Sequence, residues 1–521
     1  MANRMSYWLL LTAQHITDTY RDFVLESHYE IAPDSKIKKD DTVYLWWVID
    51  GFLYGWGVVS ETPRISDSLD AQGRKRLIVT VRREEGFEPP LTRLQIESDN
   101  NLVGLIPSTW NDLYAFPIDT LHAHHLNDVI RAHGFRAPEG SAPVGWSVEQ
   151  IHILKTLRVT GWKSIKETEP PLEFGPVNVM IGANGSGKSN LVSFFKMLNE
   201  LVGGRLQTFI STSGAAESLL HYGSKRTPLV EGELEFDTPT GSSLYYMRLM
   251  HAAVDTLIFS EERVEFHRPD QPIPLRDTLG SGHKESLLRS KAYQGNQTAY
   301  YLLRLLGLCR VFHFHDTSET ARVRQSAYIE ANQHLYPDAG NLASMLYLYK
   351  TVHPEVYLRI VSTVRQLVPS FDDFVLEPQR LDRKSILLNW RQIGSDYLFG
   401  PHQLSDGSVR AAAIATLFLQ PENHLPNLIV LDEPELGLHP QALDLLIGLI
   451  RSVSHRTQVI LATQSPTLLD YFEPNEIIVA DFLEGESHFR RLDEKQLTNW
   501  LEDYSVGELW EKNVLGGGPF P

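Results

Sequence analysis

The stretch GANGSGKS, at positions 182–189, constrains this chain more than any other. It fits the pattern G-x-x-x-x-G-K-[ST], follows the apolar run VNVMI and precedes the helical pattern KSNLVSFFKMLNELV. Glycines let successive backbone N–H groups turn inward, and the start of the next helix adds partial positive charge, so such a loop cradles phosphates. Asn184, Gly185, Ser186, Gly187, Lys188, Ser189 and Asn190 are therefore candidate nucleotide-binding residues. Lys188 is expected to reach the β- and γ-phosphates, and the Ser189 hydroxyl to coordinate Mg²⁺. A strand, this loop and a helix imply an α/β fold that takes ATP and Mg²⁺.

A second motif, NLIVLDEPELGLHP at 427–440, is an apolar strand ending in two carboxylates. A buried strand delivers both to the carboxyl edge of a parallel sheet, where ligands bind. Asp432 is the expected second Mg²⁺ ligand. Glu433, one residue on and turned the other way, is the candidate general base that takes a proton from an attacking water. Together these make the chain a candidate ATPase.

Charge limits what else the chain can do. Its 521 residues carry a formal net charge of −17, so it has no global pull toward DNA or anionic membranes. Nucleic-acid binding would need a local basic surface or contacts to bases. A single cysteine, Cys309, excludes an internal disulfide framework and a Cys-rich zinc site. No apolar run is long enough to span a membrane, and the start resembles no signal peptide, so a cytoplasmic location is expected. The histidine groups at 122–125 and 313–315 lack partners spaced to complete a metal site, and fit a solvated helix face and a strand end.

The organisation divides near HGFRAPEGSAPVGWSVEQ, a Pro-, Gly- and Ser-punctuated stretch. The expected layout is a first domain over 1–135, a linker over 136–150 and a second domain over 151–521. Within the second, about 284–367 has a mostly helical pattern and is expected to be an insertion. No heptad run fills the distance from the phosphate loop to residue 404, which excludes long coiled-coil arms.

The stretch LSDGSVR, at 404–410, looks like the signature motif of ATP-binding-cassette (ABC) ATPases. The order of phosphate loop, signature, LDEPE, LGLHP and ILATQSP matches that family throughout. The resemblance implies that Ser405, Asp406 and Gly407 of one copy close over the ATP held by another, so that ATP drives homodimerisation. It places Gln464 at the position of the family's switch residue, usually His. Gln can orient a water or phosphate but cannot titrate. The opening LRVTGWKSIKETEPPLEFGPVNVMIGANGSGKSNL is similar to the RecF-, SMC- and OLD-like branch, and VFHFHDTSE, PDAGNLASMLY and LEDYSVGELWEKNVLGGGP resemble bacterial predicted ATPases within it. The residues after Pro466 are too few for the nuclease domain of OLD-type enzymes, so a nuclease or toxin effector is expected to be a separate chain.

The stretch VYLWWVIDGFLYGWGVV at 43–59 holds three tryptophans, two tyrosines and a phenylalanine, with Asp50-Gly51 as a hairpin turn. YWLL, KIKKDDTVYLWW and GFLYGWGVV resemble EVE domains of the PUA-like barrel superfamily, so the first domain is expected to be a small α+β barrel. That resemblance implies recognition of nucleic acid carrying modified bases. Stacking would suit an acidic chain, because it supplies affinity with few phosphate contacts. Strand alternation leaves open which aromatics fill a core; Trp8, Tyr44, Trp46 and Trp110 are the pocket candidates. The expected whole is a nucleic-acid sensor joined to an ABC-type ATPase head, acting in bacterial antiphage defence. A repair or DNA-maintenance ATPase, or an adaptor using slow turnover as a dimerisation timer, are the alternatives.

Overall fold

The computed structural model describes residues 153–518, apart from 239–240, 272, 295 and 422–423, and the backbone of seven strands within 7–118. The chain divides into two compact units, Met1–Ser147 and Val148–Pro521.

In the first unit the strands are β1 (Tyr7–Thr12), β2 (Glu26–Ile31), β3 (Thr42–Trp47), β4 (Phe52–Val59), β5 (Arg64–Leu69), β6 (Lys75–Thr92) and β7 (Ala115–Ile118). They form one sheet in the order β2-β6-β4-β3-β1-β7, with β5 beside β6. β3 and β4 pair antiparallel, with Tyr44 opposite Trp56 and Trp46 opposite Leu53. β1 runs parallel to β3, placing Trp8 opposite Val43. Trp110 lies outside the described residues, as does the histidine group at 122–125.

The second unit opens with β8 (Ile153–Trp162), β9 (Ile165–Glu167), β10 (Leu172–Glu173) and β11 (Val177–Ile181). β12 (Leu229–Thr238), β13 (Gly241–Ala252), β14 (Thr256–His267) and β15 (Leu275–Gly280) follow. Next come β16 (Cys309–Phe312), β17 (Ala327–Tyr328), β18 (Phe371–Val375), β19 (Ser385–Ile386) and β20 (Asn389–Gln392). β21 (Leu428–Asp432), β22 (Gln458–Thr463), β23 (Ile477–Leu483) and β24 (Glu486–Arg491) complete the set.

A central sheet has the order β16-β21-β22-β11-β23-β24. Its first five strands are parallel and β24 is antiparallel. Every residue of β11 and β22 is buried, as expected of strands covered on both faces. Alternation then sorts the side chains. Val179, Ile181, Ile429, Leu431, Val459 and Leu461 face a core shared with helices Leu342–Val352, Pro354–Leu367, Asp406–Leu419 and Pro440–Val453. Met180, Val430, Ile460, Ala462 and Ile478 face a second core. That core also holds helix Lys188–Val202 and the antiparallel sheet β10-β8-β12-β13-β14-β15. Gln458, wholly buried, joins the two sheets. Its amide nitrogen donates to the carbonyls of Leu154 and Gly175, at 2.9 and 2.8 Å, and its oxygen accepts from the Leu154 N–H.

The stretch 284–367 departs from a purely helical insertion. It contains helices Leu288–Tyr293, Gln297–Gly307, Leu342–Val352 and Pro354–Leu367, but β16 within it is the edge strand of the central sheet. CRVF continues an apolar helical run with almost no break, so periodicity alone cannot separate it. Its position matters, because His313 and His315 follow it at the carboxyl edge of the sheet. Among the described residues no helix is long and apolar enough to cross a membrane.

Candidate functional site

Three neighbouring strands build the site. β11 ends in the phosphate loop, β21 ends in Asp432, and β22, between them, runs into Gln464. With strands roughly 4.8 Å apart, the three motifs meet along one edge.

The loop's shape rests on two glycines, Gly185 and Gly187, with φ of 83° and 106°, a region L side chains rarely enter. A Cβ on Gly187 would lie 2.1 Å from Ser487 Oγ, whereas one on Gly185 would meet nothing within 4 Å. The backbone is thus packed tightly behind the loop and open in front of it. Helix Lys188–Val202 starts with no side-chain cap, leaving its first N–H groups for an anion. Ser186 Oγ is buried without a hydrogen-bond partner. Lys188 is 5% exposed, and its Nζ donates to the Gly182 and Ala183 carbonyls at 2.6 and 3.1 Å. Burial lowers its pKa; Glu433, Asp432 and Glu435 oppose that shift. Asn184, Gly185 and Ser189 are exposed. Asn190 braces the loop from behind. Its Nδ2 donates to Ser164 Oγ at 2.5 Å, and Ser164 Oγ lies 2.6 Å from Ser487 Oγ. An orphaned buried hydroxyl, an uncapped helix start and an open glycine position fit a bound polyphosphate.

Asp432 is half-buried, and burial raises its pKa; His315, Lys196 and Lys188 hold it down, while Glu433 pushes the other way. Glu433 takes the left-handed region, φ 44°. Its N–H donates to the Ala462 carbonyl at 2.7 Å, and its carboxylate accepts from Gln464 Nε2. Glu435 is tied to the same place, accepting from Thr463 Oγ1. Its other oxygen is buried and unpartnered, and burial raises its pKa.

Ser405 caps helix Asp406–Leu419, accepting from the Ser408 N–H at 3.1 Å. Ser405 and Asp406 are exposed, and no hydrogen bond between described residues joins 405–407 to the phosphate loop. A Cβ on Gly407 would lie 2.9 Å from the Gly437 carbonyl oxygen, so the signature abuts the loop that follows Glu433.

Sequence reasoning missed the residues that fasten these parts together. Arg410 donates to the carbonyls of Phe314, His315 and Leu436, at 2.8, 2.9 and 2.7 Å. Arg324, almost fully buried, donates to the Thr317 and Leu404 carbonyls and, at 2.8 Å, to the Asp406 carboxylate. His315 Nε2 donates to the Asp432 carbonyl at 2.8 Å. The Arg in LSDGSVR and the second His in HFH were visible, but nothing in their spacing announces carbonyl partners. Neither His313 nor His315 belongs to a group that could hold a metal; among the described residues that group is Glu217, His251 and Asp255.

A family model described as "AAA domain, putative AbiEii toxin, Type IV TA system" matches residues 177–470, more than half of the chain. Among solved structures, the chain is similar to one described as the SmcHead bound to the C-winged helix domain of ScpA. The identity is 15%, the match covers 66% of this chain and 99% of that one, and the TM-score is 0.45. An Smc head domain with an extended coiled coil, bound to the C-terminal domain of ScpA and derived from Pyrococcus furiosus, is 15% identical. That match covers 68% of this chain and 99% of that one, with a TM-score of 0.42. The SMC head domain from Thermotoga maritima is 16% identical over 65% of this chain and 99% of that one, with a TM-score of 0.33. No curated protein matches.

Proposed function

The chain belongs to this AAA-domain family, and from that premise we propose that it is an ABC-type ATPase that dimerises on ATP and answers to nucleic acid engaged by its first unit. The observation that carries the reading is the convergence of Lys188, Asp432 and the Glu433–Gln464 pair at one edge of the central sheet.

The chemistry is water attack on the γ-phosphorus, with cleavage of its bond to the β–γ bridging oxygen. The loop N–H groups and Lys188 hold the phosphates and offset their charge. Mg²⁺, held through Ser189 and Asp432, would add positive charge beside the β- and γ-phosphate oxygens. Glu433 accepts the water's proton, and the Gln464 amide fixes the carboxylate's direction. The exposed Ser405 and Asp406 support the view that a second copy completes the site.

Tyr44 and Trp46 stand two residues apart on β3, on one face of the sheet, which supports stacking of one base by that pair; Trp8, opposite Val43 on β1, stands on the other face, and Trp110 is a further candidate. The family description names a toxin–antitoxin context, which suits a role in antiphage defence with a separate effector. The test is ATP turnover by the full chain with and without oligonucleotides carrying plain and modified bases. Wild type should hydrolyse ATP and respond to one oligonucleotide class. Lys188→Ala should lose ATP binding, and Glu433→Gln should bind ATP but turn over about 100-fold or more slowly. Folded Trp46→Ala should keep basal turnover and lose the response. Wild-type turnover in Glu433→Gln would refute the base assignment, and an unchanged response in Trp46→Ala would refute stacking by that residue.

A further inference from the structure

The segment 505–518 touches two parts of the candidate site that are far apart in sequence. It begins with Ser505, which caps the short helix Val506–Glu511 in a reciprocal pair with Glu508. In the first turn of that helix, the Gly507 N–H donates to Asp470 Oδ1 at 2.8 Å. A Cβ on Gly507 would lie 2.5 Å from the Pro466 carbonyl oxygen, so the contact demands glycine. Pro466 opens the helix Pro466–Leu469, capped by Ser465, immediately after Gln464.

At its other end the segment reaches the phosphate loop. The Ala183 N–H donates to the Gly517 carbonyl at 2.8 Å. The Gly517 N–H donates to Asp481 Oδ2 at 3.1 Å, and Arg490 Nη2 donates to the Leu515 carbonyl at 2.6 Å. Gly516 and Gly517 both take positive φ, 72° and 66°. A Cβ on Gly517 would lie 2.7 Å from Val479 Cγ1 and 2.9 Å from the Ala480 carbonyl oxygen. That same Ala480 oxygen would lie 2.4 Å from a Cβ on Gly182. Three backbones therefore meet where side chains have no room: the loop, the middle of β23 and the glycine run. The sequence feature behind this is GGG at 516–518, which phosphate-loop chemistry by itself does not require.

We propose that 505–518 is a strap that positions the phosphate loop and couples it to the segment after Gln464. The proposal rests on the ATP-site reading above and deepens it. Gly507, Asp470 and Gly517 are positioning residues; none is placed against the reacting atoms. A displacement of Ala183 is transmitted through the Gly517 carbonyl, along the strap and its helix, to Asp470 and thus to the Gln464 loop. The contacts are one backbone–backbone hydrogen bond, three between the strap backbone and the side chains of Asp470, Asp481 and Arg490, and close steric approaches, which have discrete geometries and transmit small shifts.

The test is a double-mutant cycle in the full chain with Gly517→Ala and Asp470→Ala. Dissociation constants for MgATP, kcat, KM and the thermal midpoint without nucleotide are measured for each variant. Gly517→Ala should weaken ATP binding by about tenfold, since its methyl group clashes with two fixed neighbours beside the loop. Asp470→Ala should lower kcat more than it raises the dissociation constant, and Asp470→Asn, which keeps the accepting oxygen, should restore kcat. The two substitutions should be non-additive on ATP affinity by about threefold or more, whereas unconnected sites combine additively. If the variants are folded and their effects are additive, or absent, the strap is overturned while wild-type ATP binding stands. Absence of ATP binding in the wild type would instead overturn the underlying site assignment. Should Gly517→Ala not fold, a cycle of Asp470→Ala with Arg490→Ala, which releases the Leu515 carbonyl, decides on the same additivity criterion.

Discussion

Glu433 holds a conformation that costs of order 1–3 kcal/mol for a non-glycine residue. Its φ of 44° is maintained by the Ala462 carbonyl and the Gln464 amide. The carboxylate is thereby oriented by neighbouring strands rather than by its own preference. A second residue stores a condition rather than strain. His334 is pushed down from 6.5 to about 4 by burial, with Arg310 adding to the shift. Its backbone carbonyl accepts from Asn341 Nδ2 at 2.8 Å, which ties this stretch of main chain to the start of helix Leu342–Val352. As pH falls through 6.5 the unfolded chain binds this proton and the folded chain refuses it until about 4. The contribution is complete above 6.5 and is lost across the window from 6.5 to 4, by at most about 3 kcal/mol. Denaturant midpoints at pH 7 and 4.5 should therefore fall more for wild type than for His334→Gln; equal falls would contradict this. The motif residues were legible because their chemistry requires fixed types at fixed spacing. His334 and His315 were not, since a histidine's role depends on what is folded against it.

At the scale of elements, β11, β21 and β22 were legible as apolar runs because a parallel sheet buries both faces. β16 was legible only as a strand end at the histidines 313–315; its extent was lost in the helical pattern around it, because four residues following a helix carry too little pattern. Its consequence is large: the segment it launches, 313–317, is the common anchor of Arg324 and Arg410. Through Arg410 the signature helix grips this segment and the loop after Glu433 simultaneously. Removing that fork leaves three carbonyls without their charged donor and should cost roughly 1–3 kcal/mol of stability. Arg410→Ala should lower kcat by about tenfold and leave the MgATP dissociation constant within about twofold, because the phosphate loop is untouched. Arg410→Lys should not rescue it, since an ammonium cannot serve three carbonyls in the same fork. Wild-type kcat in a folded Arg410→Ala chain would contradict the coupling of signature and acidic edge.

For the molecule as a whole, the central claim is that one chain supplies the phosphate loop and another the signature. The sequence implied this only through a resemblance, because a contact between copies leaves no periodicity in either. The structure supplies the exposed signature, capped by its own Ser405 and tethered through Asp406 to Arg324. A closed twofold dimer would carry two identical composite sites. The decisive measurement is the ATPase rate of an equimolar mixture of Lys188→Ala and Ser405→Arg chains. Each variant alone should be inactive, since every site contains one damaged half. In a mixed dimer one site has both halves damaged and the other has both intact. With random pairing, the mixture should recover up to about a quarter of the wild-type rate. A mixture as inactive as its components, under conditions where the two chains demonstrably exchange, would contradict the account.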